Sequence, residues 1–197
     1  MLIVDVETTG TDSQKHSIAS VGALDFREPQ RQFYQECRIW EGAEVTAKAL
    51  EINGFSEEEL HSSRKRTLEQ IVKEFLAWSV SVEERTIAGE NPSFDMGFLT
   101  ASAMRYGISW TFGYRTIDLH SLCYSHYLKR GLAPPIKEGR SDLNLDKILN
   151  YVELPPEPQP HNALMGAKLE AEAFCRLIYG RSLLREFQHY LVPGHLR

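Results

Sequence analysis

The chain opens on a run of apolar residues that two acids interrupt. Apolar, largely β-branched side chains at positions 2, 3, 4 and 6 predict a strand that is buried on both faces. Asp5 and Glu7 share one face of this strand, because side chains alternate across it. Their carboxylates would stand about 6–7 Å apart and repel by about 2–3 kcal/mol at an effective dielectric constant near 20. This spacing fits a cation held between the two acids, and it equally fits a strand end whose acids are solvated.

Two more strands follow the first across short polar turns. They are predicted over residues 18–26 and 33–40, where apolar residues alternate in part with polar ones. Turns this short join antiparallel neighbours, so we expect the first three strands to form a meander.

The remainder of the chain alternates between helical and strand patterns. The predicted elements are, in chain order, a helix over 47–53 ended by Gly54, a helix capped by Ser56, a helix capped by Thr67 and Gln70, a strand over 85–89, a helix up to Tyr106, a strand over 114–119, a helix over 121–129, a helix capped by Ser141 or Asp142, a long helix ended by Gly180 and a short amphipathic segment over 183–191. Strands separated by helices favour parallel pairing through crossover helices. Together with the meander, they predict an α/β fold with one mixed sheet and helices on both faces.

Length and composition limit the class of protein. The chain has 197 residues, 42% hydrophobic and 25% charged, so we expect one globular domain over residues 1–197. No apolar run could span a bilayer and Asp5 comes too early for a secretory signal, which predicts a cytoplasmic protein without a membrane partner. Three distant cysteines argue against disulfides and structural zinc. A net charge of −5 argues against a DNA-coating protein but not against a nuclease with an acidic metal pocket.

Two further residues are candidates for chemistry. Asp95 is predicted in the first turn of a helix that follows a buried strand, at the sheet edge where α/β sites gather. An acid in that position also stabilises the helix dipole. His161 begins the long helix behind the proline-rich segment 154–160, where a histidine is otherwise a cap or a surface residue. The basic stretch 62–66 could contact phosphate, although a solvated connector has the same composition.

Three segments together resemble the motifs of a known family. Asp5-Val-Glu7-Thr-Thr-Gly10, Asn91-Pro-Ser-Phe94-Asp95 and His161-Asn-Ala163 are similar, in order and spacing, to the motifs of the DnaQ-like, or DEDDh, 3′–5′ exonucleases. This family includes polymerase proofreading subunits, RNase T and oligoribonuclease. The intervening segments 49–55 and 117–119 also resemble the family, so the similarity covers nearly the whole chain.

The resemblance implies a ribonuclease H-like fold with a mixed five-stranded sheet and two-metal hydrolysis of a terminal phosphodiester of DNA or RNA. It implies that Asp5 contacts both ions, Glu7 holds one and Asp95 the other, with Mg²⁺ favoured by hard oxygen ligands and Mn²⁺ as an alternative. His161 would be the general base for the attacking water. The residues implied in binding the 3′-terminal nucleotide of a single strand are Thr8, Thr9, Gly10, Leu50, Asn53, Asn91 and Phe94. Association with a polymerase or with a second copy has no sequence signal.

One position departs from the family pattern His-x-Ala-x-x-Asp. The chain has Gly166 where the fourth carboxylate is expected, and the apolar pattern of the helix gives no reason for a glycine there. Three explanations stay open: a substitution introduced into this sequence, a natural change that weakens or abolishes catalysis, and a ligand supplied by another acid. Glu170, about 6 Å further along the same helix face, is the nearest such acid.

The missing carboxylate predicts a reduced activity. A site that lacks one negative charge is expected to hold one of its two ions weakly and to act as an exonuclease slower by orders of magnitude. Gly166→Asp is accordingly expected to raise metal affinity and activity together. The competing function is a 3′-end-binding module on a nuclease fold with little turnover, and a ribonuclease H-type endonuclease is a weaker third. The choice between DNA and RNA stays open, because no motif encodes a contact to the 2′-hydroxyl.

Overall fold

A six-stranded mixed sheet forms the centre of the computed structural model, which describes residues 1–197. Its strands are β1 (Leu2–Thr8), β2 (Ile18–Asp25), β3 (Gln32–Arg38), β4 (Arg66–Thr67), β5 (Ile87–Gly89) and β6 (Thr116–Asp118). They lie in the spatial order β4-β3-β2-β1-β5-β6. The pairs β1–β2 and β2–β3 are antiparallel, whereas β3–β4, β1–β5 and β5–β6 are parallel. The predicted meander and the predicted parallel strands are confirmed.

Seven α-helices and a small hairpin surround the sheet. The helices are α1 (Ala47–Asn53), α2 (Glu57–His61), α3 (Leu68–Ser79), α4 (Pro92–Arg105), α5 (Leu119–Lys129), α6 (Leu145–Tyr151) and α7 (Ala163–Tyr179). The hairpin pairs β7 (Ile136–Lys137) with β8 (Arg140–Ser141), and 3₁₀ turns occur at Arg185–Phe187 and Gly194–Leu196. Each helix is too short or too polar to cross a membrane.

The sheet separates two apolar layers, so β1 and β2 are covered on both faces. On one side, Phe75 of α3 and Leu99 of α4 belong to the same buried cluster as Val4. On the other side, Phe174 of α7 shares a buried cluster with Ile3. Alternate residues of β1 therefore enter opposite layers. Burial on both faces holds this strand firmly and so positions the acids that it carries.

Three features of the sheet and its connections differ from the prediction. The sheet has six strands instead of five, because Arg66 and Thr67 pair with the end of β3 in a region expected to be a connector. Two residues are too few to create a hydrophobic pattern, so only the neighbouring strand defines β4. The segment 131–141, for which the sequence analysis predicts neither helix nor strand, contains the β7–β8 hairpin. Helix α6 is capped by Asn144, two or three residues later than the predicted caps Asp142 and Ser141.

Several helix ends agree with the prediction. Ser56 and Thr67 cap α2 and α3, and each forms a capping box with the residue three positions later. Gly54 and Gly180 end α1 and α7 in the left-handed backbone conformation, with φ of 72° and 62°. These ends depend on contacts within a few residues, which is why the sequence predicts them.

A buried ion pair ties the end of the chain to α7. The side chains of Glu172 and Arg176 are both 0% exposed, with Nε and Oε1 separated by 2.9 Å. The other glutamate oxygen accepts hydrogen bonds of 2.8 Å from the backbone N–H groups of Leu183 and Leu184. The guanidinium also donates to the backbone carbonyls of Val152, Glu153, Phe187, Tyr190 and Leu191. Both charges are therefore fully satisfied within the chain.

Candidate active site

Strand β1 carries two acids to the face of the sheet that α7 covers. Ile3 packs in the layer beneath this helix, so Asp5 and Glu7 face the same way by strand alternation. Asp5 lies opposite Gly22 of β2 in the ladder, and Glu7 lies opposite Ser20. Both acids line one cleft, as their predicted shared face requires.

Helix α4 brings a third acid to this end of β1. The helix begins at Pro92, whose fixed φ suits the first helical position. Asn91 precedes it in a left-handed conformation with φ 53°, which asparagine tolerates better than most residues. Asp95, only 5% exposed, accepts a hydrogen bond of 3.0 Å from the backbone N–H of Val6. This bond places its carboxylate beside the two acids of β1.

The segment before α7 brings a histidine to the same cleft. The backbone N–H of His161 donates to the carbonyl of Ile52, 2.9 Å away, which fixes the segment against α1. Asn162 then begins α7, and its side chain accepts from the N–H groups of Leu164 and Met165, each at 3.1 Å. The His161 side chain remains 27% exposed, and partial burial lowers its pKa. It is a neutral imidazole within reach of solvent at pH 7.

Helix α7 approaches β2 so closely that only glycine fits at the contact. A Cβ on Gly22 would lie 2.1–2.2 Å from backbone atoms of Ala163 and Leu164. Gly22 is also the ladder partner of Asp5. This contact therefore sets the distance between the first turn of α7 and the acids of β1.

The glycine inside α7 faces the acids directly. A Cβ on Gly166 would lie 2.1 Å from Oδ2 of Asp5 and 3.2 Å from Oε1 of Glu157. The apolar pattern of the helix left this glycine unexplained, and the close approach of Asp5 supplies the reason. Any side chain at position 166 would require the Asp5 carboxylate to rotate away.

Glu157 is a residue of the site that the sequence analysis missed. Its side chain is 7% exposed, and its Oε2 lies 3.4 Å from Nδ1 of His161. An oxygen of Glu7, an oxygen of Glu157 and a ring nitrogen of His161 lie within 4.8 Å of one another. The available signal was that Glu157 is the only acid in the segment 154–160 and stands four residues before His161.

Glu170, the acid that the sequence suggested as a substitute ligand, is directed elsewhere. Its Oε1 accepts a hydrogen bond of 2.9 Å from the backbone N–H of Glu90. Its Oε2 lies 3.1 Å from the point that a Cβ on Gly89 would occupy. Glu170 is therefore packed against the end of β5. Its charge acts on the site, because burial first and the charge of Glu170 next raise the pKa of Asp5.

The cleft between β1, α1 and the start of α7 has a volume of about 330 Å³. Asp5, Glu7 and His161 line it, while Asp95 is buried beside them. Four of the residues predicted to bind a nucleotide line it too, namely Thr8, Gly10, Asn53 and Phe94. The acids and these four residues therefore line the same cleft.

Three other residues predicted to bind the nucleotide lie outside this cleft. Thr9 is fully buried, and its hydroxyl bonds to backbone groups of neighbouring loops. Leu50 packs in a small apolar cluster around Leu60. Asn91 lines a separate polar pocket beside Asp118. The family resemblance implied that these side chains contact the nucleotide, but it could not tell which way each would point.

Burial raises the pKa of the clustered acids. Burial is the main cause that raises the pKa of Glu7 to about 7 and the pKa of Asp95 to about 8. Burial, followed by the charge of Glu7, raises the pKa of Glu157 to about 8. The pKa of Asp5 is raised well above its ordinary value by burial and then by the surrounding carboxylates. The chain has thus gathered negative groups that disfavour one another's ionisation.

The donor set fits a divalent cation. Carboxylate oxygens are the hard ligands that Mg²⁺ and Mn²⁺ prefer. Oε1 of Glu157 is buried without any hydrogen-bond partner, which is unfavourable unless a counter-charge reaches it. Lys48, an exposed residue, is the only lysine or arginine that lines the cleft. The acids therefore lack a compensating charge within the chain.

The fold is the one that solved nucleases of the DEDDh type share. The solved nuclease domain of 3′hExo, described as a DEDDh family member bound to rAMP, matches with a TM-score of 0.70 over 93% of this chain and 94% of that chain. Sequence identity to it is 18%, so this likeness shows the shared fold.

The family is defined by sequence as well. The RNase_T family model, described as an exonuclease, matches residues 2–174, and the chain belongs to this exonuclease family. The 3′-5′ DNA exonuclease Cap18 of Escherichia coli is 31% identical over 180 residues, which cover 89% of each chain. The PolC-type DNA polymerase III of Thermotoga maritima is 29% identical over 178 residues, which are 90% of this chain but only 12% of that polymerase. The resemblance inferred from the three motifs is confirmed.

Proposed function

We propose that this protein is a metal-dependent 3′–5′ exonuclease that shortens single-stranded DNA or RNA. The observation that carries the proposal is the convergence of Asp5, Glu7, Asp95 and His161 at one cleft in a member of an exonuclease family. The name of the relative Cap18, a 3′-5′ DNA exonuclease, supports the direction of cleavage. The rAMP bound to the 3′hExo domain supports a site for a single nucleotide.

The acids of the cleft hold the metal ions in this proposal. Asp5, Glu7 and Asp95 would bind two divalent cations, which neutralise charge on the scissile phosphate and lower the pKa of bound water. Burial and then the neighbouring carboxylates raise the pKa of Asp5 well above its ordinary value, and a bound cation would relieve this repulsion. The bond from the Val6 N–H holds Oδ1 of Asp95 against β1.

His161 accepts the proton of the attacking water in this proposal. Its pKa is lowered by burial, so the imidazole is neutral and can take up a proton at pH 7. Oε2 of Glu157 lies 3.4 Å from Nδ1, which orients the ring and leaves Nε2 as the nitrogen available to water. The partial exposure of the side chain allows the proton to pass on to solvent.

The cleft is of a size to take the last nucleotide of a strand. Its volume of about 330 Å³ is at the lower end of the range for small-molecule sites. Phe94 lines the cleft and offers a ring on which a base can stack, an interaction that tolerates any base. Lys48 is positioned to contact a phosphate of the strand, and Asn53 and Thr8 offer polar groups.

The experiment is a cleavage assay with end-labelled strands. Single-stranded DNA and RNA labelled at the 5′ end should give a ladder that shortens from the 3′ end in Mg²⁺ or Mn²⁺, and EDTA should stop it. An Asp5→Asn variant should leave both strands intact. Internal cuts without a ladder, or shortening that persists in EDTA, would contradict the proposal. The ratio of the DNA and RNA rates then defines the substrate.

Gly166 supports a second candidate, a module that binds the 3′ ends of strands with little turnover. The family pattern has a carboxylate at this position, and the chain has none. Fluorescence anisotropy with the same labelled strands separates the two candidates. Stoichiometric binding in Mg²⁺ without any shortening favours the end-binding module, whereas multiple turnover favours the exonuclease.

A further inference from the structure

The cleft contains a buried acid that the family motifs do not account for. Glu157 lies in the proline-rich connection between α6 and α7, outside the three motif segments. Its side chain is 93% buried, since only 7% is exposed. One carboxylate oxygen contacts His161, and the other, Oε1, has no hydrogen-bond partner. A buried, unpartnered carboxylate oxygen requires an explanation, because such a group is unfavourable in the folded state.

The unpartnered oxygen occupies the region from which the family carboxylate is missing. Oε1 of Glu157 lies 3.2 Å from the point that a Cβ on Gly166 would occupy. An aspartate at 166 would send its carboxylate into this same space, between Asp5 and Glu157. The absence of a side chain at 166 leaves this space to the carboxylates of Asp5 and Glu157.

We propose that Glu157 replaces the missing fourth carboxylate as a ligand of the divalent cation that Glu7 binds. The inference rests on the proposed function, because it concerns the metal site of that activity. An oxygen of Glu157 lies within 4.8 Å of an oxygen of Glu7 and a nitrogen of His161, which is close enough for one ion to contact both acids. The ligand comes from the loop before α7 instead of from the helix itself.

Glu170 does not fill this place. One of its oxygens is held by the backbone N–H of Glu90. The other, Oε2, is also buried without a hydrogen-bond partner, but it lies beside Gly89 on the β5 side and not beside Gly166. A matched pair of substitutions can therefore assign the ligand. Glu157→Gln keeps the shape of the side chain and removes its charge next to Glu7, whereas Glu153→Gln does the same at an exposed position of the same connection.

The experiment measures Mn²⁺ binding by isothermal titration calorimetry, without nucleic acid. The parent should bind Mn²⁺, and Glu157→Gln should bind it at least about tenfold more weakly, since loss of even an outer-shell partner weakens metal binding by about 10–100-fold. Glu153→Gln should bind like the parent. The double variant Glu157→Gln/Gly166→Asp should recover part of the lost affinity, because it returns a carboxylate to the same space. Far-UV circular dichroism checks that each variant is folded.

The outcomes separate this inference from the proposed function. A parent that neither binds Mn²⁺ nor shortens strands overturns both. A parent that does both, with unchanged Mn²⁺ affinity in Glu157→Gln, overturns the ligand role alone. Unchanged affinity together with a shifted pH profile of cleavage would show that Glu157 only orients His161, and it also overturns the ligand role. A crystal structure with Mg²⁺ gives a second test, since a Glu157 oxygen must then lie about 2.0–2.1 Å from an ion.

Discussion

Two regions of the molecule bury carboxylates, and they treat them in opposite ways. At the back of α7, Glu172 is paired with Arg176 and also accepts hydrogen bonds from two backbone N–H groups, so each charge has its partners. In the cleft on the other side of the same helix, Asp5, Glu7 and Glu157 are gathered without any arginine or lysine beyond one exposed lysine. Glu170 and Glu172 are only two residues apart on α7. Glu172 belongs to the ion pair with Arg176, whereas the charge of Glu170 acts on the acids of the cleft.

The difference shows what each region contributes. A buried charge with its counter-charge and hydrogen bonds in place holds the fold in one arrangement, and removing one partner is strongly unfavourable. Buried acids without a counter-charge oppose folding, and such groups are concentrated at functional sites. The same residue type is therefore structural at the back of α7 and available to a ligand at its front.

The largest expected effect comes from removing one acid of the cleft. Asp5→Asn should reduce the rate of strand shortening by about 10²–10⁴-fold, because metal-ion catalysis contributes several kcal/mol and each 1.36 kcal/mol is a factor of ten. The same variant should be more stable than the parent in EDTA at pH 8, since it removes an acid whose ionisation is opposed by burial and then by the neighbouring carboxylates.

End-labelled strands and urea unfolding measure the two effects of Asp5→Asn. Asp12→Asn, at an exposed site in the loop after β1, is the matched control. It should leave the rate of strand shortening and the stability unchanged. A variant at Asp5 that is both inactive and less stable would mean that this acid supports the fold.

The second largest effect is expected from breaking the buried ion pair between Glu172 and Arg176. Arg176→Met should lower the free energy of unfolding by about 3–5 kcal/mol, because it leaves Glu172 charged and unpaired in the interior. The double variant Glu172→Met/Arg176→Met should be more stable than the single one, since it removes the isolated charge. Urea denaturation at pH 7 measures both. A single variant as stable as the parent would show that the pair is not a stabilising contact.

The third effect concerns the distance between α7 and the acids. Gly22→Ala should lower the free energy of unfolding by about 1–3 kcal/mol and also reduce strand shortening, because the added methyl pushes the start of α7 away from Asp5. Gly97→Ala in α4 is the control: its Cβ meets nothing within 4 Å, so we expect stabilisation of about 0.5–1 kcal/mol. Equal stability of the two variants would contradict the close contact.

The smallest effect is a dependence of stability on pH in the absence of metal. The pKa of Glu7 in the folded protein is about 7 and that of Glu157 about 8, above the values near 4 of an unfolded chain. The folded state therefore keeps protons that the unfolded state releases, and the free energy of unfolding should fall as pH rises from about 4.5 to 8 and then level off.

Thermal unfolding in EDTA between pH 5 and pH 9 measures this dependence. The Tm should decrease toward pH 8. Added Mg²⁺ should raise the Tm most at the alkaline end, where the acids are ionised and can bind the ion. Asp5→Asn should flatten the profile. A Tm that rises with pH in EDTA would mean that the acids are already compensated within the fold.

The sequence predicted those parts of the protein that local rules control. The buried strand was predicted from its run of apolar residues, and the shared face of Asp5 and Glu7 from alternation along it. The helix ends at Gly54 and Gly180 were predicted from the left-handed backbone that glycine allows. The short turns defined the antiparallel meander because a few residues cannot connect strands in any other way. The family motifs added the order in which the acids and His161 occur along the chain.

Contacts between distant segments decided what the sequence left open. β4 exists only because two residues meet the edge of β3, and Gly166 is explained only by the nearness of Asp5. Glu157 was missed because it is nine residues from Gly166 in a segment without periodic pattern, so only the docking of that segment beside α7 shows that its carboxylate enters the cleft. Alternation, caps and turns act within a few residues of the chain, whereas the charge of a binding site is the sum of side chains that the fold alone brings together.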